Sequence, residues 1–150
     1  MTRVDFYFNV SDKLKKTSEL AQKAVIKQRK VMVCVADNQQ AMTLSQQLWA
    51  AVPASFLVHA LVLNMEHHDT DLHNNGIVIN AVSASEVNQH LNQDDVLINL
   101  QPQQPAFFSR FRHLIELVGT DEADKIAGRI RYKYYRDRGY EIKSVDVNAT

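Results

Sequence analysis

Six apolar residues in succession, Val31-Met32-Val33-Cys34-Val35-Ala36, constrain this 150-residue chain more than any other feature. An amphipathic strand alternates, but this run leaves no side for water. It is the pattern of a strand buried on both faces, which belongs to a parallel sheet covered by helices. Its neighbours agree. Val4–Asn9 reads as a short aromatic strand, after which Ser11 or Asp12 caps an amphipathic helix to about Gln28, with Leu14, Leu20, Ala21, Ala24 and Val25 as its stripe. Asp37 or Asn38 starts a second helix to about Ala50, carrying Ala41, Leu44, Leu48 and Trp49. A connection through Pro53, Ser55, Phe56 and His59 leads into a polar loop, Glu66–Gly76. Ile77–Ala81 and Val96–Leu100 read as strands around a short helix, Ser85–Asn92, and His113–Val118 as a strand after a helical turn. Asp121 caps a basic helix that Gly139 ends, and Glu141–Val147 reads as an edge strand. Alternating strands and helices predict an α/β fold: a mainly parallel twisted sheet with helices on both faces, Rossmann-like in topology. With no repeat, low-complexity tract or linker, residues 1–150 read as a single domain.

The chemistry that often accompanies this architecture is missing from the sequence. None of the four glycines (Gly76, Gly119, Gly128, Gly139) forms a glycine-rich turn after the first or second strand, so there is no nucleotide-binding loop. The turns in that position, Asn9-Val10-Ser11-Asp12 and Ala36-Asp37-Asn38, present carboxylates, which repel phosphate. Glu66-His67-His68-Asp69-Thr70-Asp71-Leu72-His73 holds metal-capable side chains but lacks a companion motif, and reads as a solvated loop. Cys34 lies inside the apolar run and reads as a buried small side chain. The sequence therefore predicts no enzyme, no cofactor and no metal. The N-terminus MTRVDFYF lacks a secretory apolar segment and no run approaches a membrane span, so the expected compartment is the cytoplasm.

Charge balances overall, with 17 basic and 17 acidic residues, yet it is distributed unevenly. From Lys125 to Gly139, the cations Lys125, Arg129, Arg131, Lys133, Arg136 and Arg138 are answered only by Asp137. At helical spacing Lys125, Arg129, Tyr132 and Arg136 share one face, with Lys133 at its edge. Ala123, Ile126, Ala127, Ile130 and Tyr134 gather on another, the face expected to meet the core. Such a helix presents cations and a tyrosine ring to an acidic ligand. Direct binding of single-stranded nucleic acid, with Tyr132 and Tyr135 stacking on bases, is the competing use, though a neutral chain is a poor wrapper of nucleic acid. Gly128 stands mid-helix at about 1 kcal/mol relative to alanine, for no reason visible in the sequence. Elsewhere, Leu48-Trp49-Ala50 and Ser55-Phe56-Leu57-Val58-His59 place large aromatics close together, which suits either core packing or an interface anchor.

Taken together, the FYF strand, the LWA…SFLVH segment and the RYKYYRDRGY helix, in order over nearly the whole chain, resemble the chi subunit of bacterial DNA polymerase III. The resemblance implies a non-catalytic accessory subunit of the clamp loader that acts in DNA replication. It implies a heterodimer with the psi subunit, and a second partner in the acidic C-terminal tail of the single-stranded DNA-binding protein. In some members a repair helicase is an alternative partner for the psi surface. By this resemblance Val118, Lys125, Arg129, Tyr132 and Lys133 fall on the tail-binding positions, and Trp49, Phe56 and His59 on the psi-facing patch. A tail ending in Pro-Phe and a free carboxylate needs cations beside an apolar notch. Arg129 suits the carboxylate, Lys125 and Lys133 supply point charge, and Tyr132 and Val118 can wall the ring.

Overall fold

Asn9 marks a switch in the first strand that distributes the chain between two cores. It adopts a left-handed backbone (φ 61), which asparagine tolerates, and donates from Nδ2 to Asp146 Oδ1 at 3.0 Å. Before it, Val4, Phe6 and Phe8 face one side of the sheet; after it, Val10 has changed to the other side. The pairing register shifts at the same place.

The computed structural model describes residues 2–27, 29–51, 59–62, 77–80, 95–105 and 108–147. Within them lie β1 (Arg3–Val10), α1 (Lys13–Ile26), β2 (Val31–Cys34), α2 (Asn38–Ala51), β3 (His59–Val62), β4 (Ile77–Asn80) and β5 (Val96–Asn99). A 3-10 turn (Phe108–Arg110), β6 (His113–Gly119), α3 (Glu122–Asp137) and β7 (Ile142–Asp146) follow. The seven strands form one sheet in the order β3-β4-β2-β5-β6-β1-β7, and every pairing is parallel. The mainly parallel α/β architecture expected from the sequence is therefore present. Val31–Cys34 are buried throughout, as their unbroken apolar run requires, and Cys34 is one of them.

Each face of the sheet has its own core. Val31, Val33, Val96, Ile98, Ile115 and Leu117 meet Ala21 of α1 and Ala41 and Leu44 of α2. Met32, Cys34, Leu97, Leu114 and Val118 pack on the opposite face with Phe108, Phe111 and Tyr135 of α3. Successive residues of one strand serve different layers because a pleated strand alternates. The helix starts are closed locally: Asp12 Oδ1 accepts from Lys15 N at 3.1 Å and Asp37 Oδ1 from Gln40 N at 2.7 Å. Those carboxylates occupy the N–H groups that a phosphate would use.

One strand escapes the sequence reading. His59–Val62, placed above in a connection, forms the edge strand β3 beside β4. The expected helix Ser85–Asn92, the loop Glu66–Gly76 and Phe56 lie outside the described residues.

Candidate functional site

α3 begins at Asp121, whose Oδ2 accepts from Asp124 N at 3.2 Å. Asp124 in turn accepts from Gly119 N and from Lys13 Nζ, at 3.1 Å to each carboxylate oxygen, joining β6, α1 and the first turn of α3. At the other end Gly139 takes a left-handed backbone (φ 83), and the Gly139 and Tyr140 amides donate to the Arg136 and Tyr135 carbonyls. Glycine is the residue that such a helix exit favours. The helix is thus fixed at both termini, as its sequence signals predict.

Its rotation about its own axis differs from the expectation. The expected core face included Ile126 and Ile130, but these are 53% and 64% exposed. Gly128, Arg131 and Tyr135 face inward instead. The cause lies on the sheet. Glu116 is fully buried in β6, and a buried carboxylate must be paired and hydrogen-bonded. Arg131 donates from Nε to Glu116 Oε1 at 2.9 Å, Tyr135 OH to Glu116 Oε2 at 2.6 Å, and Asn99 Nδ2 to both oxygens at 3.0–3.1 Å. The remaining Arg131 nitrogens reach the Pro102 and Leu117 carbonyls. Arg131, counted by sequence among the ligand-seeking cations, is an internal counter-ion, and Tyr135 is likewise withdrawn from any stacking role. Burial pushes the Glu116 carboxyl up from its ordinary value, opposed by Arg131 and the hydrogen bonds it accepts. Tyr135 is raised as well, by burial first and then by the Glu116 charge.

Turning this face inward brings α3 close to β6 and gives Gly128 its reason. A Cβ on Gly128 would lie 2.7 Å from Val118 Cγ2 and 3.1 Å from Cγ1, so the helix can approach only without a side chain there.

Beside that contact opens a pocket of about 370 Å³. Its floor is Phe6, Phe8 and Asn9 of β1, Val118 and Gly119 of β6, and Ser144 of β7; its wall is Lys125, Gly128, Arg129 and Tyr132 of α3. Four residues expected to act together, Val118, Lys125, Arg129 and Tyr132, therefore line one cavity. Lys133 does not line it and stands exposed on the helix. Tyr132 is held by an edge contact with Phe6, ring centroids 5.3 Å apart. Lys125 pairs loosely with Glu122 at 3.7 Å, whereas Arg129 has no ion pair among the described residues. The pocket thus joins apolar side chains of β1 and β6 to cations of α3, with Ser144 of the edge strand β7 also lining it. Sequence reasoning missed Phe6, Phe8, Asn9, Gly119 and Ser144; the carboxyl ends of parallel strands, where such sheets bind ligands, are the signal that points to β1 and β6.

Trp49 lies in the last turn of α2, and His59 opens β3, against which α2 packs. Both belong to the β3 side of the sheet, whereas the pocket is lined from the other side, by β6, β1 and β7. Among the described residues no group of His, Cys, Asp and Glu is arranged to hold a metal ion, and no helix is long and apolar enough to cross a membrane.

The fold and this pocket define a class: a parallel α/β domain whose helix starts are closed by its own carboxylates and whose cavity joins aromatic rings to the cations Lys125 and Arg129. The family described as DNA polymerase III chi subunit, HolC, matches residues 1–143, and the chain belongs to that family. It is 30% identical over 147 residues to the DNA polymerase III subunit chi of Pseudomonas aeruginosa, covering 95% of each chain. It is 28% identical over 119 residues to the subunit chi of Haemophilus influenzae, covering 79% of this chain and 76% of that protein. Among solved structures, the C-terminal domain of S. cerevisiae Dbp5, bound there to Gle1 and IP6, superposes with a TM-score of 0.65 at 14% identity. That alignment covers 98% of this chain and 92% of the other, a likeness of fold alone.

Proposed function

We propose that this chi-family chain is a non-catalytic cytoplasmic adaptor, one domain over residues 1–150, that joins the clamp loader to coated single-stranded DNA during replication. Its α3 pocket takes the acidic C-terminal tail of the single-stranded DNA-binding protein, and its β3 edge takes the psi subunit. The observation that carries this is the pocket itself, in which the apolar side chains of Val118, Tyr132 and Phe6 line the same cavity as Lys125 and Arg129. A chain ending in an aromatic residue presents a ring and a free carboxylate within a few ångströms of each other. Arg129 offers the carboxylate a planar pair of donors, Lys125 adds charge, and Phe6, Phe8 and Val118 receive the ring. Exposed Lys133 acts on the acidic residues upstream. Neither metal nor cofactor enters this function.

Ordering a short peptide on so small a site yields about micromolar affinity, and several tails on one oligomeric partner raise the effective strength. For the second surface, Trp49, Phe56 and His59 are the proposed contacts, with large aromatics supplying desolvated anchor area. A repair helicase that competes with psi belongs to this same surface.

Titration calorimetry tests the reading. An acidic peptide ending in Pro-Phe binds one-to-one, more weakly as salt rises, and Arg129→Ala removes most of the affinity while the domain stays folded. Bare oligonucleotide gives no heat. Binding of oligonucleotide but not peptide would assign the helix to nucleic acid instead. Trp49→Ala weakens a psi complex and leaves the peptide titration intact; loss of both would make Trp49 a core residue.

A further inference from the structure

The outer face of α3 carries two isoleucines in water. Ile126 and Ile130 are 53% and 64% exposed and stand one helical turn apart, so their side chains adjoin. A scattered exposed apolar side chain is ordinary, whereas an adjoining pair forms a patch. Beside them, at the same spacing, run Arg129 and Lys133, both exposed. Neither has an acidic partner among the described residues, since Glu122 pairs with Lys125 and Asp137 with Arg136. Arg129 belongs to both surfaces: it lines the pocket and flanks the isoleucine row. Cavity, cation row and apolar row therefore follow one another around a single helix without interruption.

We propose that the binding groove continues over α3, and that its ligand is an acidic peptide longer than the pocket can hold, with an apolar residue placed to rest on Ile126 and Ile130. The peptide's end sits in the pocket, its carboxylates lie on Arg129 and Lys133, and the chain then reaches the isoleucines. The charge pattern selects this occupant. A purely apolar partner would leave both cations buried without counter-charge, and a purely acidic one would leave the isoleucines uncovered. Crossing a helix about 10–12 Å wide takes roughly three to four extended residues at about 3.3 Å each. The apolar side chain accordingly stands roughly four residues before the one seated in the pocket. This inference rests on the pocket being a peptide-end site.

Fluorescence anisotropy with two synthetic peptides tests it, both ending in Pro-Phe. One carries only acidic residues upstream; in the other, leucine replaces the residue four positions before the end. The parent protein is expected to bind the leucine peptide about five-fold more tightly. The double variant Ile126→Ser/Ile130→Ser binds the all-acidic peptide as the parent does and no longer distinguishes the two. Equal affinities in the parent, or discrimination that survives in the variant, overturn the proposal while leaving the pocket's role intact. Failure of both peptides to bind the parent overturns the reading of the pocket and this extension with it. A concentration-dependent dimer of the parent that the variant lacks, seen by sedimentation, would give the isoleucines to self-association and also overturn it.

Discussion

Arg129 and Arg131 sit two residues apart on one helix and live in different physical worlds. Arg131 is buried, and all of its recorded hydrogen bonds go to Glu116 and to the carbonyls of Pro102 and Leu117. Arg129 is exposed, lines the pocket and has no acidic partner among the described residues. The difference is not in the residue but in what faces it. A buried carboxylate on β6 captures one guanidinium as a structural counter-ion, and the neighbouring guanidinium is left exposed at the pocket. A count of cations along α3 mixes these two populations, and only the second can contribute affinity.

The sharpest way to break this comparison is to remove the two arginines in parallel. Arg131→Ala strands the Glu116 carboxylate in the core, at a cost of about 3–5 kcal/mol, a large fraction of a small domain's stability. Urea denaturation should show this loss. Arg129→Ala should leave the unfolding midpoint where it was. Equal destabilisation of both variants would contradict the division.

Next in size is Gly128→Ala. Helix propensity alone favours alanine by about 1 kcal/mol, but the added carbon would meet Val118 Cγ2 at 2.7 Å. Overpacking of that kind costs about 1–3 kcal/mol, so the variant should be less stable than the parent, and Gly128→Ala/Val118→Ala should recover part of the loss. A more stable single variant would show that α3 does not press on β6 there.

A smaller effect concerns Tyr135. Burial and the adjacent Glu116 carboxylate push its hydroxyl up from the ordinary value of 10.0. The folded protein therefore holds a proton that the unfolded chain releases. The stability that this contributes is complete below about pH 10 and is lost as pH rises beyond it, by about 1.4 kcal/mol per pH unit. Urea denaturation between pH 9 and 11 should show a steeper decline for the parent than for Tyr135→Phe. Parallel slopes would remove Tyr135 from the network.

Much of the fold was legible in the sequence because its signals are local. The unbroken run at Val31–Ala36, the caps at Ser11 or Asp12, at Asp37 or Asn38 and at Asp121, and the exit at Gly139 each act within a few residues. The structure has the run buried from Val31 to Cys34, the caps at Asp12, Asp37 and Asp121, and the exit at Gly139. Strand β3 was missed because the sequence offers no turn residue at its start: His59-Ala60-Leu61-Val62 follows directly on the apolar Phe56-Leu57-Val58, so nothing marks it off from the connection. The orientation of α3 was misjudged for a different reason. Periodicity assumes that apolar residues turn inward, and Ile126 and Ile130 satisfied that rule on paper. The rule yields to Glu116, which lies outside the helix and binds Arg131 across the core. Its one trace in the sequence was a single acid inside the apolar strand Leu114–Val118. The pocket was half legible: Val118 of β6 and Lys125, Arg129 and Tyr132 of α3 were named, but most of the rest of its floor comes from β1 and β7, whose nearness to α3 is a property of topology.

Nuclear magnetic resonance of the labelled protein, titrated with the acidic peptide ending in Pro-Phe, tests the central claim most directly. The account predicts the largest amide shifts at Gly119, Gly128, Arg129, Tyr132 and Ser144, around the pocket, with Trp49 in α2 unmoved. Shifts centred on α2 and β3 with α3 silent, or none at saturating peptide, would contradict it.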